Sequence, residues 1–404
     1  MKRIQRKEYL EKLLSFRNKQ IIKVITGVRR CGKSTLLEIM QDELRSIGVQ
    51  ERQIIAINLE DYENKELRNP DNLYSYIASR LCKSGTTYIF FDEIQHVDNF
   101  ADVVNAIFVK PNVDLYITGS NAFMLSSEIA TLLSGRYIEI NMLPLSFAEF
   151  IESCGNDNEL NKKYITYITN SSFPYTTELA NNPTAINDYL QGIFNTIVLK
   201  DVMQRNSITD AMMLESIVAF VMDNTGNTLS SKKIADTMTS SGRKIDVKTV
   251  EKYLSALQES FIIYKAGRYN IKGRQFLKTM EKYYLVDVAL RHVIVGRQGV
   301  DIGHLLENVV YLELRRRNQH VFIGKTNDLE IDFVTINGQD ISYYQVAATV
   351  RDENTLLREL APLQSVKDNH PKWLLTLDDD PDMNYNGIRK TNVLQWLLNN
   401  NNSR

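Results

Sequence analysis

Gly27-Val28-Arg29-Arg30-Cys31-Gly32-Lys33-Ser34, followed by Thr35, is the stretch that decides the fold. It has the spacing G-x-x-x-x-G-K-[ST]. Glycines there let a loop wrap so that successive backbone N–H groups face a phosphate at the positive end of a helix. Short patterns arise by chance, so the flanks matter. An apolar run, IIKVIT (21–26), leads into the loop, and an amphipathic segment, STLLEIMQDELRSI, leaves it. Strand, glycine loop and helix in that order predict a site for ATP with Mg²⁺. Gly27, Arg29, Arg30, Cys31 and Gly32 then form the cradle, and Lys33 reaches the β- and γ-phosphates. The Ser34 hydroxyl ligates Mg²⁺ and Thr35 donates to the α-phosphate. Cys31 inside the cradle suggests that modification of its thiol blocks ATP.

Beyond the loop, QIIAINL (53–59), TYIFFD (87–92), DLYITG (114–119) and YIEI (137–140) read as further strands, separated by helical patterns. This alternation predicts a parallel sheet covered on both faces. TYIFFD ends in Asp92-Glu93. An acid at the tip of a strand beside the phosphate loop suits a metal ligand, Asp92, and the next one, Glu93, suits a general base for in-line attack by water. QIIAINL lies between the two motifs, an arrangement of NTP-hydrolysing proteins rather than small-molecule kinases. Ser120 and Asn121, after DLYITG, are candidate sensors of the γ-phosphate, with a plain turn as the rival reading. Arg136, just before the fifth strand, is a candidate arginine finger toward a neighbouring subunit, with a surface salt bridge as its rival.

The remainder divides by pattern. Helices fill 146–210. From 211 to 286 the order is helix, helix, helix and a Gly-punctuated hairpin, that of a winged helix-turn-helix. Residues 231–282 hold twelve basic and five acidic side chains in a chain whose net charge is −1. Clustered positive charge on such a module predicts a DNA partner, bound by structure because no base-reading code is legible. Lys244, Lys248 and Lys252 recur every four residues, the spacing of one helix face. Arg268, Lys272 and Arg274 fall on the expected wing. The rival is a module that binds protein.

GVRRCGKSTLL, YIFFDEIQ and LYITGSNAFMLSSEIATLLSGRYIEINMLPLSFAEF together resemble the bacterial and archaeal AAA-type ATPases of the AAA-14 class, and the likeness continues through KYYLVDVALR, LLENVVYLELRRR, EIDFV and YYQV. The resemblance implies an AAA-type P-loop α/β core (1–145), a helical lid (146–210), a winged helix-turn-helix (211–286) and a restriction-endonuclease-like α/β domain (287–404). It also implies ATPase activity, and subunit contacts through Arg136 would make the protein a homo-oligomer. A restriction-type nuclease needs two acids for Mg²⁺ and a lysine two residues beyond the second. Glu307, Glu330, Asp332 and Gln345 follow that order, but Gln345 replaces the second acid and Ala347 the lysine. A disarmed nuclease is expected, unless Lys325 on a neighbouring strand substitutes.

Composition bounds these readings. A 404-residue chain with 43% hydrophobic and 24% charged residues is globular, and near-neutral charge excludes a polycation coating nucleic acid. Cys31, Cys82 and Cys154 are too scattered for a disulfide framework or a zinc site. The five histidines lack metal spacing, and no run reaches the about 18 apolar residues of a membrane span. A cytoplasmic protein is expected.

Overall fold

The computed structural model describes residues 3–121, 133, 135–155, 159–180, 182–296, 301–318 and 320–399. Residues 122–132, part of the stretch that carries the family resemblance, lie outside them. Two units are distinguished: Met1–Pro144 with Glu259–Phe261, and Leu145–Gln258 with Ile262–Arg404.

In the first unit, β1 (Ile22–Thr26), β2 (Ile54–Asn58), β3 (Thr87–Asp92), β4 (Val113–Gly119) and β5 (Tyr137–Asn141) form one sheet in the order β2-β3-β4-β1-β5. Every pairing is parallel. All five expected strands are present. β1, β3 and β4 are buried along their whole length, which is why they read as continuous apolar runs instead of alternating ones. Helices α1 (Lys7–Ser15), α2 (Lys33–Ser46), α3 (Pro70–Ala78) and α4 (Phe100–Phe108) accompany them. α3 starts where it does because Asn69 accepts from the Asp71 and Asn72 N–H groups and Pro70 takes the first helical position. Ile22, Val24, Ile89, Phe91, Leu115 and Ile117 lie in the core. Lys23 interrupts β1 but is fully buried, its charge met by an ion pair with Asp114 on β4.

The second unit begins with α5 (Phe147–Cys154), α6 (Leu160–Asn170) and α7 (Pro183–Phe194). α8 (Ala211–Asp223), β6 (Thr228–Leu229), α9 (Ser231–Ser240), α10 (Val247–Glu259), β7 (Ile263–Asn270) and β8 (Gln275–Leu285) follow. Next come α11 (Ile302–Arg317), β9 (Val321–Thr326), β10 (Leu329–Asn337), β11 (Asp340–Ala347), α12 (Glu353–Ser365), β12 (Lys372–Thr376), β13 (Met383–Tyr385), β14 (Ile388–Asn392) and α13 (Val393–Leu398).

The helix–helix–helix–hairpin order is present, but its hairpin does not stand alone as a wing. β7 pairs parallel with β9, Arg268–Asn270 beside Ile323–Lys325, so both hairpin strands enter one nine-stranded sheet, β13-β14-β12-β11-β10-β9-β7-β8-β6. The cause is apolar. Tyr269 of β7 shares a core with Ile331, Val334 and Leu363, and the pairing also satisfies backbone groups that a free strand edge would expose. The boundary expected at 286/287 therefore runs through a continuous sheet. The segment expected as a lid is tied in as well: Ser172 donates its N–H to Asp287 at 2.6 Å, and α13 packs on α5 and α6. Among the described residues, no helix is long and apolar enough to cross a membrane.

Candidate functional site

The phosphate loop leaves the buried end of β1 through Gly27, whose φ is +147°. A Cβ at this position would lie 2.2 Å from the Met142 carbonyl oxygen and 3.2 Å from Cys31 Sγ, so only glycine fits. Arg30 (φ 67°) and Gly32 (φ 102°) continue the turn, and α2 opens at Lys33. The Lys33 ammonium is buried and donates to the Gly27 and Val28 carbonyls at 3.1 and 3.3 Å. It also lies 3.4 Å from Glu93 Oε1. Ser34 is exposed and Thr35 half-buried at the start of the helix. Arg29 pairs with Glu60 at 3.2 Å. Arg30 is exposed.

The two carboxylates stand apart in chemistry. Asp92 is buried and receives hydrogen bonds from the side chains of Ser34 and Thr118, the latter at 2.5 Å. Burial nonetheless holds its carboxyl above the usual value, against those two bonds. Glu93 is equally buried, which by itself raises a carboxyl pKa, but the Lys33 ammonium and the Gln95 amide outweigh that effect. Its carboxyl therefore lies below the usual range and stays ionised. Glu93 adopts a left-handed backbone (φ 53°), uncommon for a residue with a side chain. Its N–H donates to Thr118 Oγ1 at 2.9 Å, which fixes the turn. Gln95 Nε2 donates to Glu93 Oε2 and, at 3.3 Å, to Ser120 Oγ. Ser120 thus meets the base both directly and through Gln95. Asn121 is buried beside it.

Three contributors escaped the sequence reading. Thr118 bonds both carboxylate residues; its signal is a lone hydroxyl at the end of an apolar strand. Gln95 carries no signal of its own beyond its place two residues after Glu93. Arg6 has none that is local. Its guanidinium is buried and donates to the Cys31 carbonyl at 3.1 Å and the Leu143 carbonyl at 2.5 Å, clamping the loop to the end of β5. Cys31 itself is fully buried, and burial pushes its thiol up. A neutral, enclosed thiol is a poor nucleophile, contrary to the expected sensitivity of this position. Arg136 is not at this end of the sheet. The register of β5 on β1 sets it beyond the start of both strands, bonded to Asn105 at 2.6 Å.

The expected DNA contacts separate. Lys248 and Lys252 are exposed on α10, and Lys272 and Arg274 are exposed in the β7–β8 turn. Lys244 is exposed but precedes the helix, because Asp246 accepts from the Thr249 N–H at 3.0 Å and starts it there. Its four-residue spacing therefore does not put it on that helix face. Arg268 is drawn inward with a 13% exposed side chain, 3.8 Å from Glu330.

Arg268 belongs to a second charged cluster, where Glu307 (α11), Glu330 and Asp332 (β10) and Gln345 (β11) meet. The cation at its centre is Lys282 of β8, and not Lys325. Lys282 is buried, its ammonium 2.9 Å from Glu307 and 3.0 Å from Glu330. Burial lowers its pKa, but Glu307, Asp332 and Glu330 raise it more, so it stays charged. Burial and Glu307 push Asp332 well above the usual carboxylate range.

Comparison with known proteins agrees with the first sheet. Residues 19–151 match the AAA domain family and residues 161–301 a domain of unknown function, DUF8612. The domain of unknown function thus covers most of the segment expected as a lid, the three helices and the hairpin, and reaches only the first residues of 287–404. The chain is 29% identical over 369 residues to the uncharacterized protein MJ1544 of Methanocaldococcus jannaschii, covering 86% of this chain and 79% of that one. Among solved structures, the Walker-type ATPase PABY2304 of Pyrococcus abyssi aligns with a TM-score of 0.51 at 17% identity, over 72% of this chain and 95% of that one. At that identity the likeness is one of fold. An uncharacterized protein of Haemophilus influenzae is 39% identical over 399 residues, 98% of each chain. The chain belongs to the same family as that Haemophilus influenzae protein and carries an AAA domain at residues 19–151.

Proposed function

We propose that the chain is an ATP-hydrolysing AAA-type switch or motor that binds DNA. The observation that carries the first half is the meeting of Lys33, Ser34, Asp92 and Glu93 at the C-terminal end of the sheet, beside a loop that tolerates no side chain at Gly27. Backbone N–H groups of Gly27–Thr35 cradle the phosphates, and Thr35 donates to the α-phosphate. Ser34 and Asp92, already joined by a hydrogen bond, suit a shared Mg²⁺. When bound, that ion neutralises the β- and γ-oxygens. Lys33 now pairs with Glu93; a γ-phosphate competes for the same ammonium and releases the carboxylate. Glu93, ionised and aimed by Thr118 and Gln95, takes the proton of the attacking water. Ser120 and Asn121 register the γ-phosphate at the tip of β4. Arg136, remote from its own loop, serves as a finger only for a neighbouring subunit in a homo-oligomer.

DNA binding rests on Lys248, Lys252, Lys272 and Arg274, all exposed, with Lys244 nearby. Arg268 leaves that set. Contacts of this kind go to phosphates and select shape over sequence, in the cytoplasm. The nuclease-like segment does not cut. ATPase rate measured against duplex, forked, four-way and single-stranded DNA tests the reading. Stimulation by DNA is expected, lost in Lys33→Ala and reduced to slow turnover with ATP retained in Glu93→Gln. A basal rate that no DNA alters at low salt refutes DNA action, and normal turnover by Glu93→Gln refutes the base.

One observation favours a second reading, a module that binds protein. A cleft of 470 Å³ between α9, α10 and β8 is lined by Leu229, Val247 and Met280 together with Lys232, Glu251 and Lys265, a mixed apolar and charged surface that suits an amphipathic segment of a partner protein.

A further inference from the structure

A restriction-type nuclease holds a divalent cation between acids at the positions of Glu307, Asp332 and Gln345. The side chains present do not fit one. Glu307 Oε1 accepts from Lys282 Nζ at 2.9 Å and from the Tyr284 hydroxyl at 2.6 Å. Asp332 Oδ2 accepts from the Val346 N–H at 2.8 Å. Gln345, neutral, accepts from the Asp332 N–H at 3.4 Å and donates to Glu359 at 2.9 Å, while Arg358 donates to the other Glu359 oxygen, also at 2.9 Å. Among the described residues no three His, Cys, Asp or Glu side chains group as a metal site.

We infer that the Lys282 ammonium is the resident cation of this site, a tethered substitute for the metal ion that locks the β7–β8 hairpin to α11 and β10. The inference rests on the nuclease-like reading of this segment and deepens it. Its ammonium touches Glu307 and Glu330 together, and Arg268 from the same hairpin adds a second positive charge beside Glu330. N–H···O contacts of 2.9–3.0 Å hold the carboxylates farther from the central charge than the about 2.1 Å of Mg²⁺ coordination. An ammonium has no empty coordination position to activate water or polarise a phosphate, so cleavage is lost twice over: no metal, and no free cation for the transition state. A cation carried on the chain is also immune to chelators.

The test is Mn²⁺ binding to the full chain without nucleotide, read by electron paramagnetic resonance and by melting temperature. Wild type is expected to bind no Mn²⁺ that Asp332→Asn removes, and to melt at the same temperature with Mn²⁺ or EDTA. Lys282→Ser, which removes the ammonium and leaves space, should melt lower, bind one Mn²⁺ per chain, and regain part of its melting temperature with it. Lys282→Ser/Asp332→Asn should lose that binding. A folded Lys282→Ser that binds no Mn²⁺ overturns the inference. If that variant does not fold, wild type still decides: Mn²⁺ binding sensitive to Asp332→Asn overturns the inference, and its absence supports it. Cutting of DNA by wild type with Mn²⁺, abolished by Asp332→Asn, would instead overturn the nuclease-like reading as an inactive one.

Discussion

Replacing Gly27 with alanine adds one methyl group where the structure has least room for it. The new Cβ would stand 2.2 Å from the Met142 carbonyl oxygen, against about 3.3 Å for a close carbon–oxygen contact. Roughly 1 Å of movement must come from the loop or from the chain after β5. The latter is held on three sides: the Met142 N–H donates to the Thr26 carbonyl at 2.7 Å, the Leu143 N–H to the Tyr9 hydroxyl at 3.1 Å, and the Leu143 carbonyl accepts from Arg6 at 2.5 Å. The loop therefore moves. Overpacking costs about 1–3 kcal/mol and the positive φ about 1–2 more, so the variant should lose about 2–5 kcal/mol. A 1 Å displacement of a phosphate cradle should also cost about 100-fold in ATP turnover. Gly48→Ala is the control, because Gly48 has φ +91° with nothing within 4 Å of a built Cβ. It should lose only the backbone share, about 1–2 kcal/mol, at normal turnover. Urea unfolding and steady-state ATPase rates compare the two. Equal losses in both variants, with ATPase intact, would refute the argument that Met142 closes the loop from behind.

Arg6→Ala removes the clamp between the loop and β5 and leaves the Cys31 and Leu143 carbonyls without that donor. A loss of about 3 kcal/mol in urea unfolding is expected, with weaker ATP binding; a change under about 0.5 kcal/mol would mean that the clamp is incidental. Glu313 on α11 is 2% exposed and bonded to Arg316 and Arg317 at 2.6 and 2.7 Å. Burial raises its carboxyl pKa, but the two guanidinium groups win and the net shift is downward. Its folded form therefore binds fewer protons than the unfolded chain. The stability it contributes is full above about pH 4.3 and is lost as pH falls through the lowered folded value. Glu313→Gln should cost about 3–5 kcal/mol at pH 7, and the gap to wild type should narrow below about pH 4; a pH-independent gap contradicts the assignment. Alkylation by iodoacetamide at pH 8, read by mass spectrometry, should be at least about tenfold slower at buried Cys31 than at exposed Cys154; equal rates would show the loop opening freely.

The first sheet was legible because its information is local. Each strand is a short apolar run, and the loop's residue types are dictated by what a phosphate demands. The second unit was legible only in pieces. The order of helices and hairpin could be read, but the pairing of Arg268–Asn270 with Ile323–Lys325 joins residues more than fifty apart, and no local pattern announces it. Charge counting put Lys282 and Arg268 with the solvent-facing basic residues, since a count treats every lysine alike. The clue was the setting: Lys282 precedes Tyr283-Tyr284-Leu285-Val286, an apolar run that enters a core. Arg6 was invisible for the same reason, its partners lying at residues 31 and 143.

The packing of α13 on α5 and α6 has a consequence for how the protein is made. The five-stranded sheet is complete once Asn141 has emerged from the ribosome. The second unit must wait for Val393–Leu398, the helix that covers α5 and α6. For about 250 residues of synthesis, some tens of seconds at about 5–20 residues per second, α5 and α6 remain without their cover. A stalled or clipped chain would thus carry a finished AAA sheet joined to an unfinished, apolar second unit, the kind of species that chaperones bind.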